Sequence, residues 1–184
     1  MATTLWTVGH STRTLPELTR LFREHGIRHL VDVRRFPGSR RHPQFGRESL
    51  ASGLAAAGIS YRHEPDLGGR RQPLPDSPNL AWRSAAFRDV ADHLDTETGL
   101  WALECLAAEA ERQPTAILGA EAHPSRCHRR LIADALLARG VVVIHFLSVG
   151  STARHQLQPS ARIGAAGDVA YPATPELQAG LFEW

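Results

Sequence analysis

A regular alternation of short apolar runs with longer stretches of helical period constrains this chain more than any other feature. Leu5 to His10 (LWTVGH), His29 to Val33 (HLVDV), Ile59 to His63 (ISYRH), Thr115 to Leu118 (TAIL) and Val141 to Leu147 (VVVIHFL) read as buried strands. Between the first two, Thr14 opens a capping box with Glu17 and Pro16 sits in the first helical turn. Leu15, Leu18, Leu21 and Phe22 then share one face, and Gly26 closes the helix. Leu50 and Leu54 mark a second helix that Gly58 ends. Helical pattern returns from about Trp82 to His93, from about Leu100 to Arg112 and over Arg126 to Arg139, where Gly140 stops it. This order predicts an α/β fold, a single three-layer domain around a mainly parallel sheet of about five strands with right-handed crossovers. The domain is expected over residues 1–147. Residues 148–184 read as an irregular tail, rich in Gly, Ala and Pro, whose Leu181, Phe182 and Trp184 pack on the body or on a second subunit of a homodimer.

In a parallel sheet every loop from strand to helix leaves at the same edge, and ligands of open α/β sheets bind there. His10 and Ser11 follow strand one; Arg34, Arg35, Arg40 and Arg41 follow strand two. Gly68, Gly69, Arg70 and Arg71 follow strand three, and Glu121, Cys127, His128 and Arg129 follow strand four. These loops are expected to converge.

The charge balance narrows the chemistry. Net charge is only +2, yet all 21 basic residues are arginine. Without lysine there is no Schiff base and no Walker-type phosphate loop, so any catalytic cation is Arg, His, the N-terminus or a metal. The apolar run Val141 to Leu147 is too short to span a bilayer, and no signal peptide is evident at the N-terminus. Two cysteines, Cys105 and Cys127, make no disulfide scaffold, so a cytoplasmic location is expected, with no membrane partner.

The loop Arg34 to Arg47 holds five arginines and no acid, and Phe36, Pro37, Pro43 and Phe45 give it a fixed path. Guanidinium forks suit phosphate or carboxylate, against the alternative of a solvated basic surface. In Glu121 to Arg130 (EAHPSRCHRR), Ser125 reads as a helix cap. Cys127 then falls in the first turn, where the helix dipole and Arg126, Arg129 and Arg130 favour a thiolate; a small buried hydrophobe is the alternative. Cys105 reads as core. Asp32 either orients an arginine in an ion pair or acts as a base. Trp82 and Phe87 read as helix packing rather than base-stacking platforms. No paired metal-ligand spacing occurs, and no cofactor or metal is expected, although His10 and His128 could meet at the sheet edge.

Four segments in order, T-V-G-H-S-T at Thr7 to Thr12, D-V-R-R-F-P-G-S-R-R-H-P-Q-F at Asp32 to Phe45, L-G-G-R at Leu67 to Arg70 and A-E-A-H-P-S-R-C-H-R at Ala120 to Arg129, resemble a bacterial family, the domain of unknown function numbered 488. The resemblance runs from about Leu5 to Leu147. It implies a compact α/β domain and little about activity. Its characteristic polar positions carry over as His10, Ser11, Asp32, Arg34, Arg40, Arg70, Glu121, Cys127, His128 and Arg129. Family members usually read Cys-Ala-Glu where this chain reads Gly119-Ala120-Glu121, so the first of two family cysteines is absent, which counts against a two-cysteine redox or metal mechanism.

Three functions follow as expectations. The first is an enzyme, a hydrolase or glycosylase acting on a phosphate-bearing small molecule or nucleic acid. His10, Ser11, Arg34, Arg40, Arg41, Arg70 and Arg129 would bind substrate, and Asp32, Glu121, Cys127 and His128 would carry the chemistry. The second is a non-catalytic module binding nucleic acid or another anion. The third and weakest is a thiol- or metal-dependent redox protein.

Overall fold

The computed structural model describes residues 3–38 and 41–173. Its strands are β1 (Thr4–Gly9), β2 (His29–Asp32), β3 (Ser60–His63), β4 (Thr115–Gly119), β5 (Val142–Ser148) and β6 (Ser151–Arg154), in the order β3-β2-β4-β1-β5-β6. The first five are parallel and β6 runs antiparallel on β5. The mainly parallel sheet is as the alternation predicts. The sixth strand lies in the stretch to which the sequence assigns no regular structure, as does a small hairpin of β7 (Arg162–Ile163) and β8 (Val169–Ala170). Leu181, Phe182 and Trp184 lie outside the described residues, as does Arg40.

Helices cover both faces, making three layers. Successive strand residues point to opposite sides. Leu30, Ala116 and Leu118 therefore pack with Leu18, Leu21 and Phe22 of α1 (Leu15–Glu24) and with Leu50 and Leu54 of α2 (Arg47–Ala56). Val31 and Ile117 face the other way. They meet Val90 and Leu94 of α3 (Ala85–Leu94), Leu103 and Leu106 of α4 (Glu97–Arg112), and Leu131, Ile132 and Leu136 of α5 (Arg129–Ala138). The capping box forms as read: Glu17 N donates to Thr14 Oγ1, and Thr14 N donates to the Glu17 carboxylate at 2.6 Å.

One expectation is corrected. The last helix does not start at Arg126. A 3-10 turn over Pro124–Arg126 is closed by Cys127, whose extended backbone (φ −126°, ψ 141°) interrupts the path, and α5 begins at Arg129 with His128 as its N-cap. The His123 side chain accepts from Ser125 N, so His123 caps the turn in the place expected of Ser125.

This topology sets the site. β1 leads through α1 to β2, beyond β4, whereas β4 leads through α5 to β5, beyond β1. The loops of this neighbouring pair therefore leave in opposite directions and open a crevice at the carboxyl edge.

Candidate active site

The crevice is a cleft of about 340 Å³ lined by loops from four strands. β1 supplies His10, and the segment after β2 supplies Arg34, Arg35 and Phe36. Gly69 and Arg70 follow β3; Ala120, Glu121, Arg126 and His128 follow β4; α3 adds Phe87. The four loops do share one edge: His10 N donates to Gly119 O and Ser11 N to Ala120 O.

Within the cleft, the expected ligand arginines divide into two kinds. Arg34 is buried, and its Nε and Nη2 form a fork on Asp32 at 2.8 and 2.6 Å, while Nη2 also reaches Phe45 O. Asp32 is fully buried and accepts as well from Arg34 N and from the Tyr61 hydroxyl. Asp32 is thus the orienting ion pair of the two alternatives. The Tyr61 hydroxyl is pushed well above its ordinary pKa by burial and by that carboxylate. Arg35, where the chain bends, lines the cleft instead. Among the described residues, Arg35, Arg70 and Arg126 have no ion pair with an acidic side chain. Arg41 is exposed and does not line the cleft, and Ser11 meets it only through its backbone.

Arg70 holds φ at +67° and Ser11 at +45°, left-handed values that cost a side chain with a Cβ roughly 1–2 kcal/mol. At Arg70 the turn is held by Asp89 of α3, which accepts from Arg71 N at 2.8 Å.

Arg129, expected at the substrate, lies instead beneath the cleft with no exposure at all. Its Nε donates to Cys127 Sγ at 3.2 Å, its Nη1 to Thr7 Oγ1 at 3.1 Å and its Nη2 to Glu121 O at 2.7 Å. It therefore pins the backbone of the one carboxylate in the cleft. Two facing glycines on adjacent strands make room for it. A Cβ on Gly119 would fall 2.6 Å from both Cys127 Sγ and Arg129 Nε, and one on Gly9 would fall 1.8 Å from Glu121 O. With Cys127 and Arg129 placed so, a cysteine at position 119 would not fit.

Among the described residues no carboxylate is bonded to Arg129. Its charge is answered through a chain of donors. The Thr7 hydroxyl donates to His145 Nδ1 (2.7 Å), His145 Nε2–H to His155 Nδ1 (2.9 Å), and His155 Nε2–H to Asp134 Oδ1 (2.9 Å). Asp134 also accepts from Gln158 N and the Tyr171 hydroxyl. With these tautomers each ring nitrogen has one role along the chain. Burial, and then the neighbouring His155, pull His145 down to about 3.

Cys127 is 1% exposed and does not line the cleft. Burial pushes its thiol pKa up, but His128 Nδ1 at 3.9 Å and the Arg129 guanidinium outweigh that, and the net direction is down. His128 moves up, its burial outweighed by the sulfur. His128 Nε2 donates to Val33 O, so both its ring nitrogens face inward. It offers no transferable proton to the cleft.

Two groups in the cleft remain free to handle protons. Glu121 is exposed into it. His10 donates from Nδ1 to Ser11 O, which leaves Nε2 as an acceptor. Its ring stacks on Phe45 at 4.5 Å, and burial, aided by Arg34 and His42, lowers its pKa so that it is neutral at pH 7. The sequence marks His10 as a substrate binder rather than a base, and it names Arg35 at this edge, Phe36 as an anchor of the arginine loop and Arg126 beside the thiol without assigning any of the three to ligand. Among the described residues no group of three or more His, Cys, Asp or Glu side chains is arranged to hold a metal ion, and no helix is long and apolar enough to cross a membrane.

No curated protein and no solved structure matches the chain. A family model does, over residues 14–136, which takes in the arginine loop, the Gly-Gly-Arg turn and the Glu121 to Arg129 segment while leaving His10 just outside. That match covers well over half of the sequence, and the chain belongs to the family described as Domain of unknown function DUF488.

Proposed function

We propose that the cleft is the active site of a hydrolase acting on the glycosidic bond of a nucleotide or nucleic acid. The observation that carries this reading is a single lining carboxylate, Glu121, set among the guanidinium groups of Arg35, Arg70 and Arg126. Three cations without acidic partners among the described residues suit phosphate oxygens. A carboxylate in their midst would repel the anionic centre of phosphoryl transfer, but it would stabilise the positive charge that grows on a sugar carbon as a glycosidic bond breaks. In this reading Glu121 serves that charge. The Nε2 lone pair of His10 accepts the proton of an attacking water, and the leaving base departs with the bonding pair and takes a proton from solvent. His128, its pKa raised, favours positive charge at the cleft floor. Cys127 and Asp32 hold the frame.

The test has two arms. Mobility-shift titrations of oligonucleotides across salt concentrations should show log affinity falling with log salt. Chromatography of the same mixtures should show free base released, slowed about 100-fold or more by Glu121→Gln with affinity retained. Undiminished release by that variant would refute the mechanism. Salt-dependent binding with no product would favour a non-catalytic binding module. No binding at low salt would remove nucleic acid and leave small phosphorylated molecules.

A further inference from the structure

We propose that the cleft takes an unpaired nucleotide, with its base stacked on Phe36 and its phosphates on Arg35, Arg70 and Arg126, so that the ligand is a single strand or an extruded base rather than an intact duplex. This rests on the phosphate-binding reading above. It goes further by assigning a role to an aromatic side chain that neither the core nor the catalytic groups use.

Phe36 is 64% exposed, although a phenylalanine gains most by burial. It lines the cleft, and the Arg35 guanidinium lies over its ring at 5.8 Å from the centroid. Pro37 follows it, and Arg47 N donates to Pro37 O, so the ring stands on a braced backbone. A second ring, Phe87, lines the same cleft from α3. It is backed by Trp82, stacked on it at 4.8 Å and 20°, and Arg130 sits over that indole. Aromatic faces beside unpaired cations are what single-strand binders use: the rings stack on bases of any identity, and the guanidinium groups follow the backbone.

Size and access favour the unpaired form. At about 340 Å³ the cleft is at the small end of small-molecule sites, roughly 300–1,000 Å³. A duplex keeps its base faces stacked inside, so a ring that reads a base face needs the base unpaired or swung out. Glu121, on the loop after the neighbouring strand β4, lines the same cleft.

The experiment measures equilibrium binding of three probes at fixed low salt: an oligothymidylate, an abasic strand of equal length and charge, and a duplex. The abasic strand keeps the phosphates and lacks the stack. The single strand should bind best. Phe36→Ala should weaken it roughly five- to a hundredfold, towards the abasic value. Phe36→Trp should retain affinity, and the salt slope should stay unchanged in both variants. Because Phe36 is exposed, both variants should melt with the wild type. Equal binding of thymidylate and abasic strands, an unaffected Phe36→Ala, or tighter binding of the duplex would overturn the stacking while leaving the phosphate-binding reading intact. No binding of any probe would overturn the stacking proposal and remove nucleic acid as the ligand, leaving small phosphorylated molecules.

Discussion

Replacing Arg129 with methionine should destabilise the domain by about 2–4 kcal/mol, with no change at its surface. The guanidinium is fully buried, and methionine fills most of the same volume, so little cavity forms. The loss is polar. Glu121 O is left without its 2.7 Å donor at a cost of about 1–3 kcal/mol, and Thr7 Oγ1 and Cys127 Sγ lose bonds from a charged group worth roughly 1.5–3 kcal/mol each. Against this, folding no longer strips water from a cation, which recovers several kcal/mol. A drop of that size in a domain of this length lowers the melting temperature by roughly 5–15 °C. Urea unfolding should show a lower midpoint at constant slope. The decisive comparison is a double-mutant cycle with Asp134→Asn. Asp134 makes no contact with Arg129, so independent sites would be additive within about 0.5 kcal/mol. If Thr7, His145 and His155 transmit the charge of one to the other, the coupling exceeds that value. A neutral Arg129→Met, or additivity with Asp134→Asn, would refute the account of this buried cation.

Two further outcomes follow from the same geometry. Iodoacetamide at pH 7 should modify half-buried Cys105 before Cys127, because Cys127 is 1% exposed and its thiolate bias cannot act without access; site-resolved mass spectrometry showing Cys127 modified first would contradict this. Stability should fall as pH drops below 6.5. His145 is held at about 3, so the unfolded chain binds protons that the folded chain refuses, by up to about 1.4 kcal/mol per pH unit, with buried His10 acting in the same direction. Urea midpoints flat from pH 7 to 5, or a slope unchanged by His145→Gln, would show that His145 is not neutral in the fold.

The scaffold is legible in the sequence because its signals are local. Strand periodicity, the Thr14–Glu17 box and the stops at Gly26, Gly58 and Gly140, all at positive φ, each need only a few neighbouring residues. Convergence of the loops followed from topology alone. The roles of individual arginines did not, because partners distant in sequence decide them. Arg34 turns inward because Asp32 and Phe45 O receive it, whereas Arg35, at the bend that follows, lines the cleft. Arg129 is captured by Thr7, 122 positions away, and by the turn at Glu121. The break at Cys127 was hidden because Pro124 starts a helix as readily as a single 3-10 turn. The strand β6 was missed because Ser151–Arg154 alternates only half-buried and exposed residues, the pattern of an edge strand without an apolar face.

The separation of the arginines is the strongest argument for the proposal that this edge binds an anion. A protein that needed positive charge only for solubility could place it anywhere on the surface. Here Arg34 is neutralised in place by Asp32 and Arg129 is answered at a distance by Asp134, so neither contributes its full charge to the cleft. Arg35, Arg70 and Arg126 carry theirs without an acidic partner among the described residues, and they come from three different loops. Arg70 does so from a left-handed backbone that glycine would occupy more easily, held there by a buried aspartate whose own pKa is raised, chiefly by burial. Local strain, a buried acid and mutual repulsion of cations all act against this arrangement in the free protein. In the proposed reading a bound anion would relieve that repulsion, and the site would be shaped ahead of its ligand rather than by it.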